Sequence, residues 1–576
     1  MVRKKGKRLG KELIYHKMKR SYLQLLLLML PLVGCAQKNH NLEVAKNLDI
    51  FNQVYKNLDL FYVDTLNPGE VIGTGIKAML RQLDPYTEYY PESETKDLKM
   101  MLTGKYAGIG ALIRYHQRLK RVVIDEPYEG MPAAEAGLRK GDIVLAIDDS
   151  LMTDKDVSYV SSHLRGDAGS NFVLKVLRPS IGKELKFKIT RRAIKLPELP
   201  YYGIVDSTND KKIGYINLNQ FTEGCAKEVR RAFVDLKKKG ITALVFDLRS
   251  NGGGSESEAV DIVNLWLGKG KTIVENRGKI SQASHLYKTR LEPVDTVMPL
   301  AVLVNGETAS ASEITSGSLQ DLDRAIIIGT RTYGKGLVQV PLEMPYNTNL
   351  KLTTSKYYIP SGRCIQAINY RRNGAGGYRE RVADSLTHVF HTAAGREVRD
   401  GGGITPDVEI KNDTIPNIAY YLSASGLDST EVMFDWVADY INHHMSIDVP
   451  KTFHLSDAEF ADFKQRVAAS GFNYDPVSVK QLQELIKTAK AEGYYEQAKE
   501  TFALLEKQLK HDVAKDIDKH EAILRQMLEL EIIGAYYYQA GSIERGLQYD
   551  KQLKEAVRLL QSPDEYKKLL MPKKAA

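Results

Sequence analysis

Two short stretches carry residue types that can do nucleophilic chemistry together. The first is Thr308-Ala309-Ser310-Ala311-Ser312-Glu313-Ile314, which follows the apolar run Leu300-Ala301-Val302-Leu303-Val304 and a turn at Asn305-Gly306. A strand should therefore pass into a helix at Ser310, where free amides and the helix dipole favour negative charge on a bound oxygen. A serine at such a junction can equally be a plain N-cap. The second stretch, Thr332-Tyr333-Gly334-Lys335-Gly336-Leu337-Val338-Gln339, sets a lysine between two glycines that allow close backbone approach and leave room for the amine. On a strand, Lys335, Leu337 and Gln339 would share a face, so Gln339 could help orient the amine. A lysine serves as general base only when neutral, which requires burial or a nearby cation to lower its pKa from about 10.4. Ser310 as nucleophile and Lys335 as base would then form a two-residue acyl-transfer site.

A third stretch, Val245-Phe246-Asp247-Leu248-Arg249-Ser250-Asn251-Gly252-Gly253-Gly254, reads as a buried strand entering a glycine loop. The Lys-Ser/Thr pair of a phosphate-binding loop does not follow it. An oxyanion hole fits better, with the amides of Gly253 and Ala311 as donors.

The elements that must position these residues alternate between strands and helices over 191–414, which predicts an α/β core. Helical spacing in Val44, Leu48, Phe51, Val54 and Leu58, and again in Ile72, Ile76 and Met79-Leu80, predicts a helical N-terminal unit over 41–100, with a break at Leu83-Asp84-Pro85-Tyr86. Over 101–190 the pattern changes to short strands with glycine turns, among them Val122-Val123-Ile124 and Ile143-Val144-Leu145-Ala146-Ile147. With the short helix at Pro132–Leu138 and the turn Lys140-Gly141-Asp142, this segment resembles a PDZ domain. Such domains bind an extended chain as an added strand and hold its terminal carboxylate on loop amides. Ala107-Gly108-Ile109-Gly110 is that loop by resemblance. Residues 415–576 return to helical spacing and predict an all-helical extension that acts as an extra scaffold, and the helical extensions are also the expected place for any self-association.

The formal charge of +9 does not mark a nucleic-acid binder. Nine basic residues against Glu12 before position 21 carry +8 of it, and no basic stripe with interleaved aromatics follows. Residues 21–33, SYLQLLLLMLPLV, come directly after Lys19-Arg20 and are too short to span a bilayer, the shape of a signal peptide. The run ends in Leu32-Val33-Gly34-Cys35, which resembles a lipobox. This predicts removal of residues 1–34, lipid on Cys35 and a membrane-attached, periplasm-facing protein, with Met1 or Met18 as the start. Cys225 and Cys364 then remain as buried thiols. The twelve histidines form no zinc-type pair, and no cofactor is expected.

DLRSNGGG, ETASASEI, RAIIIGTRTYGKGLVQ, TTSKYYIPSGRCIQ and GGGITPDVEI, in this order behind a PDZ-like segment, resemble the carboxyl-terminal processing peptidases, or tail-specific proteases. The resemblance implies a crotonase-like α/β protease core with an inserted PDZ domain. It also implies a serine/lysine dyad at Ser310 and Lys335, an assisting Gln339, and protein substrates with free C-termini. It further places an arginine of the PDZ module near the active site, matched here by Arg165. Two positions depart from the family pattern: Thr308 stands where a serine is usual, and Gly252 replaces a proline, which should loosen the glycine loop. The alternatives are a non-catalytic PDZ lipoprotein that only binds tails, and acyl-CoA chemistry on the same architecture. Ser310, Lys335 and Gln339 together weigh against the first, and the PDZ insertion against the second.

Overall fold

The computed structural model describes residues 40–95, 98, 105–195, 197–208, 211–368, 370, 382–411, 413–423, 430–474 and 476–572. The signal-peptide and lipobox residues, Cys35 among them, lie outside this set. The chain divides into two units at Arg81. In the first, residues 40–61 and Pro68–Arg81 are helical, as their spacing requires. The helical unit expected to reach residue 100 stops there. In the second unit Glu88–Tyr90 is a strand, paired antiparallel with Thr348–Tyr358 (Tyr89 opposite Leu350). Asp84-Pro85 ends the helical pattern, and the adjacent tyrosines fit a half-buried pleated surface better than a helix.

Two sheets build the protease core. The central one has the order Tyr201–Asp206, Ile213–Asn217, Ala243–Asp247, Leu300–Val304, Ile326–Gly329, Val408–Glu409, with all neighbours parallel after the first antiparallel pair. Its middle strands are buried on both faces, which is why they read as unbroken apolar runs. Helices Cys225–Lys238, Glu256–Val263 and Ala311–Asp321 cover one face. The opposite face is covered from the far end of the chain: Leu553, Ala556, Leu559, Leu560 and Tyr566 pack on Tyr215, Val245, Ala301, Leu303 and Ile328. Tyr566 also exchanges hydrogen bonds with the Leu300 backbone (3.0 and 3.1 Å). The last two helices, Lys551–Gln561 and Pro563–Leu569, thus belong to the core, and the reading of 415–576 as a separate scaffold is corrected for them. A parallel sheet must bury both faces, and local spacing does not say which segment supplies the second layer.

The second sheet joins Glu88–Tyr90, Thr272–Gly278, His285–Lys288, Leu337–Met344 and Thr348–Tyr358. Cys225 and Cys364 are not joined in a disulfide. The PDZ-like module is an antiparallel six-stranded sheet from Ala111 to Thr190 around Val122, Ile124, Val144, Met152, Val160 and Leu174. The ribbon of Lys105–Gly108 with Arg192–Lys195 extends it past the expected boundary at 190. Helices Asn417–Ser423, Val432–His443, Asp457–Ser470, Val513–Lys519 and Glu521–Gly546 of the extension surround Trp436, Phe460, Phe463, Leu528 and Ile532. Leu559→Ala should destabilise the protein by about 2–5 kcal/mol, as a core truncation does. Leu485→Ala, on an exposed helix of the extension, should stay within about 0.5 kcal/mol. Urea denaturation midpoints compare the two.

Candidate active site

The strand Leu300–Val304 ends at a turn that is tied to the glycine loop. Asn305 Oδ1 accepts the Ser250 N–H (2.9 Å), and the Thr308 hydroxyl donates to the Leu248 carbonyl (2.9 Å). The position needs a buried hydroxyl, and Thr308 supplies it as a serine would. Asn251 is fully buried: its Nδ2 donates to the Leu218 carbonyl (2.7 Å), while its own carbonyl accepts the Ser312 hydroxyl (2.9 Å) and the Ala309 N–H (3.0 Å). These bonds pin the loop that Gly252 was expected to loosen.

Ser310 has φ +58° and ψ −118°. Ordinary N-cap residues are extended, and a non-glycine residue held in such a conformation costs on the order of 1–3 kcal/mol. Gly253 makes the conformation possible, because a Cβ there would stand 2.8 Å from Ser310 Cβ and 2.8 Å from the Ala311 nitrogen. The Gly253 N–H, however, donates to Asn251 Oδ1 (2.9 Å). In this structure Gly253 provides close approach and its amide holds the loop. The amide of Ala311, first residue of the helix, remains beside Ser310.

Glu313 joins the two stretches and was not singled out from the sequence. Its side chain is fully buried. Oε2 accepts the N–H groups of Ser310 and Lys335 (2.9 Å each), and Oε1 accepts the Gly334 N–H (2.7 Å) and the Thr332 hydroxyl (2.5 Å). Burial pushes its pKa up to about 7, against the pull of these donors. The spacing Ser310-x-x-Glu313 is a capping-box pattern, the one signal that could have marked it.

Lys335 precedes the strand Leu337–Met344. Burial, reinforced by Lys351, lowers its pKa to about 8. The Tyr357 hydroxyl donates to its carbonyl. The flanking glycines allow close approach of the 366–367 segment: a Cβ on Gly334 would lie 2.2 Å from Ala367 Cβ, and one on Gly336 2.9 Å from the Gln366 nitrogen. The shared strand face expected of Lys335, Leu337 and Gln339 is corrected for Lys335, which lies before the strand and not in it. Gln339 Nε2 donates to the Thr353 hydroxyl (3.1 Å).

The proposed tail-binding loop lies in the PDZ-like module. Ala107 and Gly108 pair with Ala193 and Arg192, Ile109 is buried, and Gly110 turns at φ +68° against Met131. Arg165 ends the helix Val157–Leu164, exposed, with its N–H on the Ser161 carbonyl (3.0 Å).

A buried amine, a strained serine and a shared carboxylate lie together on an α/β core that also carries a PDZ-like module, an arrangement suited to acyl transfer. Family models agree: peptidase family S41 matches residues 212–372, a PDZ domain 123–178, and the C-terminal helical domain of a probable PDZ-protease 423–560. The carboxy-terminal-processing protease of Bartonella bacilliformis is 34% identical over 334 residues, covering 57% of this chain and 75% of that protein. A probable CtpA-like serine protease of Staphylococcus aureus is 32% identical over 321 residues, covering 55% and 62%. Among solved structures, a photosystem II D1 C-terminal processing protease aligns at 25% identity over 65% of this chain and 91% of its own, with a TM-score of 0.36. The chain belongs to the carboxy-terminal-processing proteases of family S41 and is a serine-type peptidase.

Glu313→Gln keeps the side chain's size but replaces one acceptor oxygen with a donor. It should lower the melting temperature and reduce peptide turnover at least about 100-fold, since buried groups left unpaired cost about 1–3 kcal/mol each and the nucleophile loses its register. Thermal melts and kcat on a peptide substrate measure both effects.

Proposed function

We propose that this peptidase cleaves proteins at the cell envelope after engaging their C-terminal tails through the PDZ-like module, with Ser310 as nucleophile and Lys335 as general base. One observation carries the reading: a single buried carboxylate fixes the backbones of Ser310 and Lys335, and burial lowers the lysine's pKa to about 8, within reach of a general base. The neutral Lys335 amine takes the Ser310 hydroxyl proton as the serine oxygen attacks the scissile carbonyl. The N–H of Ala311, at a helix N-terminus, steadies the oxyanion. The lysine then gives its proton to the leaving amine, and a water, deprotonated in the same way, hydrolyses the acyl-serine. Gln339, held by Thr353, is assigned to orient the base side of the pocket. Ala107-Gly108-Ile109-Gly110 is assigned to the substrate's terminal carboxylate, and Arg165 to communication between the PDZ-like module and the core. The signal-like N-terminus and Cys35 support a lipid anchor.

Ser310→Ala and Lys335→Ala should each lower kcat by roughly 10⁴-fold or more, with the double variant scarcely worse, because the pair acts as a unit. Lys335→Arg should be equally inactive, since arginine does not deprotonate in a protein. Substantial activity in either lysine variant would exclude Lys335 as the base.

The base must be neutral to act, so kcat/KM should rise with pH up to a limb near 8 and fall about tenfold per unit below it. A substrate with an amidated C-terminus should be cut more slowly than its free acid, as measured by competition between the two. Intact mass of the membrane-extracted protein should show residues 1–34 removed and a lipid-sized increment on Cys35.

A further inference from the structure

The segment Leu83-Asp84-Pro85-Tyr86-Thr87, which breaks the N-terminal helical pattern, lies over the lysine. The Lys335 Nζ sits 4.6 Å from the Tyr86 ring centroid, over its face. The Tyr86 hydroxyl donates to the Tyr333 hydroxyl (3.3 Å) and shares a hydrogen bond with that of Tyr370 (3.0 Å), and the Tyr370 ring meets the Tyr86 ring edge-on at 5.9 Å. The backbone below is fixed as firmly. Buried Asp84 accepts the N–H groups of Tyr86 and Thr87 (2.8 Å each) and the Thr87 hydroxyl (3.0 Å). Thr87 Oγ1 accepts the Thr353 N–H (3.2 Å), and Thr353 holds Gln339.

We propose that Tyr86 is a positioning residue of the reaction: its ring is a fixed lid that keeps water off one side of the Lys335 amine and presents its negative face to the ammonium formed when the lysine takes the serine proton. The proposal rests on the assignment of Lys335 as general base. The two effects differ in kind. Excluding water favours the neutral amine that must start the reaction, while the π face lowers the energy of the charged amine once it has formed. The other charged groups around the amine are Lys351, which opposes its protonation, and Glu313, Asp84 and Glu88, which favour it; Lys351 is itself paired with Glu88 (2.6 Å). Tyr86 is the aromatic face against the amine, and its ring covers that side of it.

The test is acetic anhydride labelling of Lys335 across pH on the full-length protein, read by peptide mass mapping, beside pH profiles of kcat and KM, for wild type, Tyr86→Phe, Tyr86→Leu and Tyr86→Ala. Wild type should label half-maximally near pH 8. Tyr86→Ala should move that midpoint and the acid limb of kcat/KM towards the ordinary lysine value of about 10.4, with kcat at pH 8 down about tenfold and KM little changed. Tyr86→Phe, which keeps the ring, should match wild type. Tyr86→Leu keeps apolar cover without a π face, so its midpoint should fall to or below the wild-type value while kcat falls several-fold. The proposal is overturned if Tyr86→Ala labels as wild type, if Tyr86→Phe behaves like Tyr86→Ala, or, should the alanine variant fail to fold, if Tyr86→Leu retains full kcat. Labelling requires no turnover, so a wild type that cleaves nothing would sink the peptidase assignment and still leave the lid decided.

Discussion

The arrangement around Ser310 depends on one buried carboxylate. Ser310 and Lys335 come from different strands' ends, 25 residues apart, and their stretches meet directly through the Tyr333 N–H on the Thr308 carbonyl (3.0 Å), but it is a side chain that ties the two residues' own amides. Glu313 does so by accepting an N–H from each, together with the Gly334 N–H and the Thr332 hydroxyl. Four donors converge on one group, so a shift of the nucleophile turn relative to the lysine loop would leave a buried polar group unpaired. The same bonds offset the strained backbone at Ser310, which persists because Glu313 and the missing Cβ of Gly253 over-determine it.

The glycine loop depends in turn on a distant part of the chain. Arg249, which leads into it, is held by Asp247 on one side and by Asp550 and Gln552 on the other, with Tyr215 donating to Asp247 (2.6 Å). Asp550 caps the helix Lys551–Gln561 through the Leu553 N–H (2.9 Å), and that helix covers the open face of the central sheet. The layer that buries the sheet therefore also carries the counter-charge for the strand leading to Ser310's neighbour loop. Removing Arg249 would leave two largely buried carboxylates without their shared cation, a cost of about 3–5 kcal/mol.

The helical extension also grips the PDZ-like module. Phe434 enters a cluster with Val123 and Ile143 while the Arg114 guanidinium and the Lys140 ammonium stand over its ring at 4.6 and 5.0 Å. Arg114 pairs with Glu431, His116 and Arg118 meet Asp435, and Lys140 bridges Asp125 and Glu531. The outer face of the PDZ sheet is thereby buried, which explains why Val122, Val123 and Ile124 are all inaccessible in a strand that would otherwise alternate. One end of the extension holds the module proposed to receive substrate tails, and the other completes the catalytic core.

The sequence by itself determined the α/β core, the PDZ-like segment, the helical extension and the positions of Ser310 and Lys335, because each is written in local signals: unbroken apolar strands, glycine turns, and a serine at a strand-to-helix junction. Strand parity and the family resemblance both pointed to Gln339. Local signals stop at contacts between segments far apart in the chain. The strand parity that placed Gln339 beside Lys335 does not reach Lys335, which lies before the strand, and the Gly253 amide is tied to Asn251, a bond that no spacing encodes. Only the tertiary structure decided that Glu313 faces inward to four donors, that Tyr86 lies on the Lys335 amine, and that helices after residue 550 close the central sheet. Each of these follows from which surfaces meet on folding, where a buried face or a buried charge must find its partner wherever in the chain that partner lies.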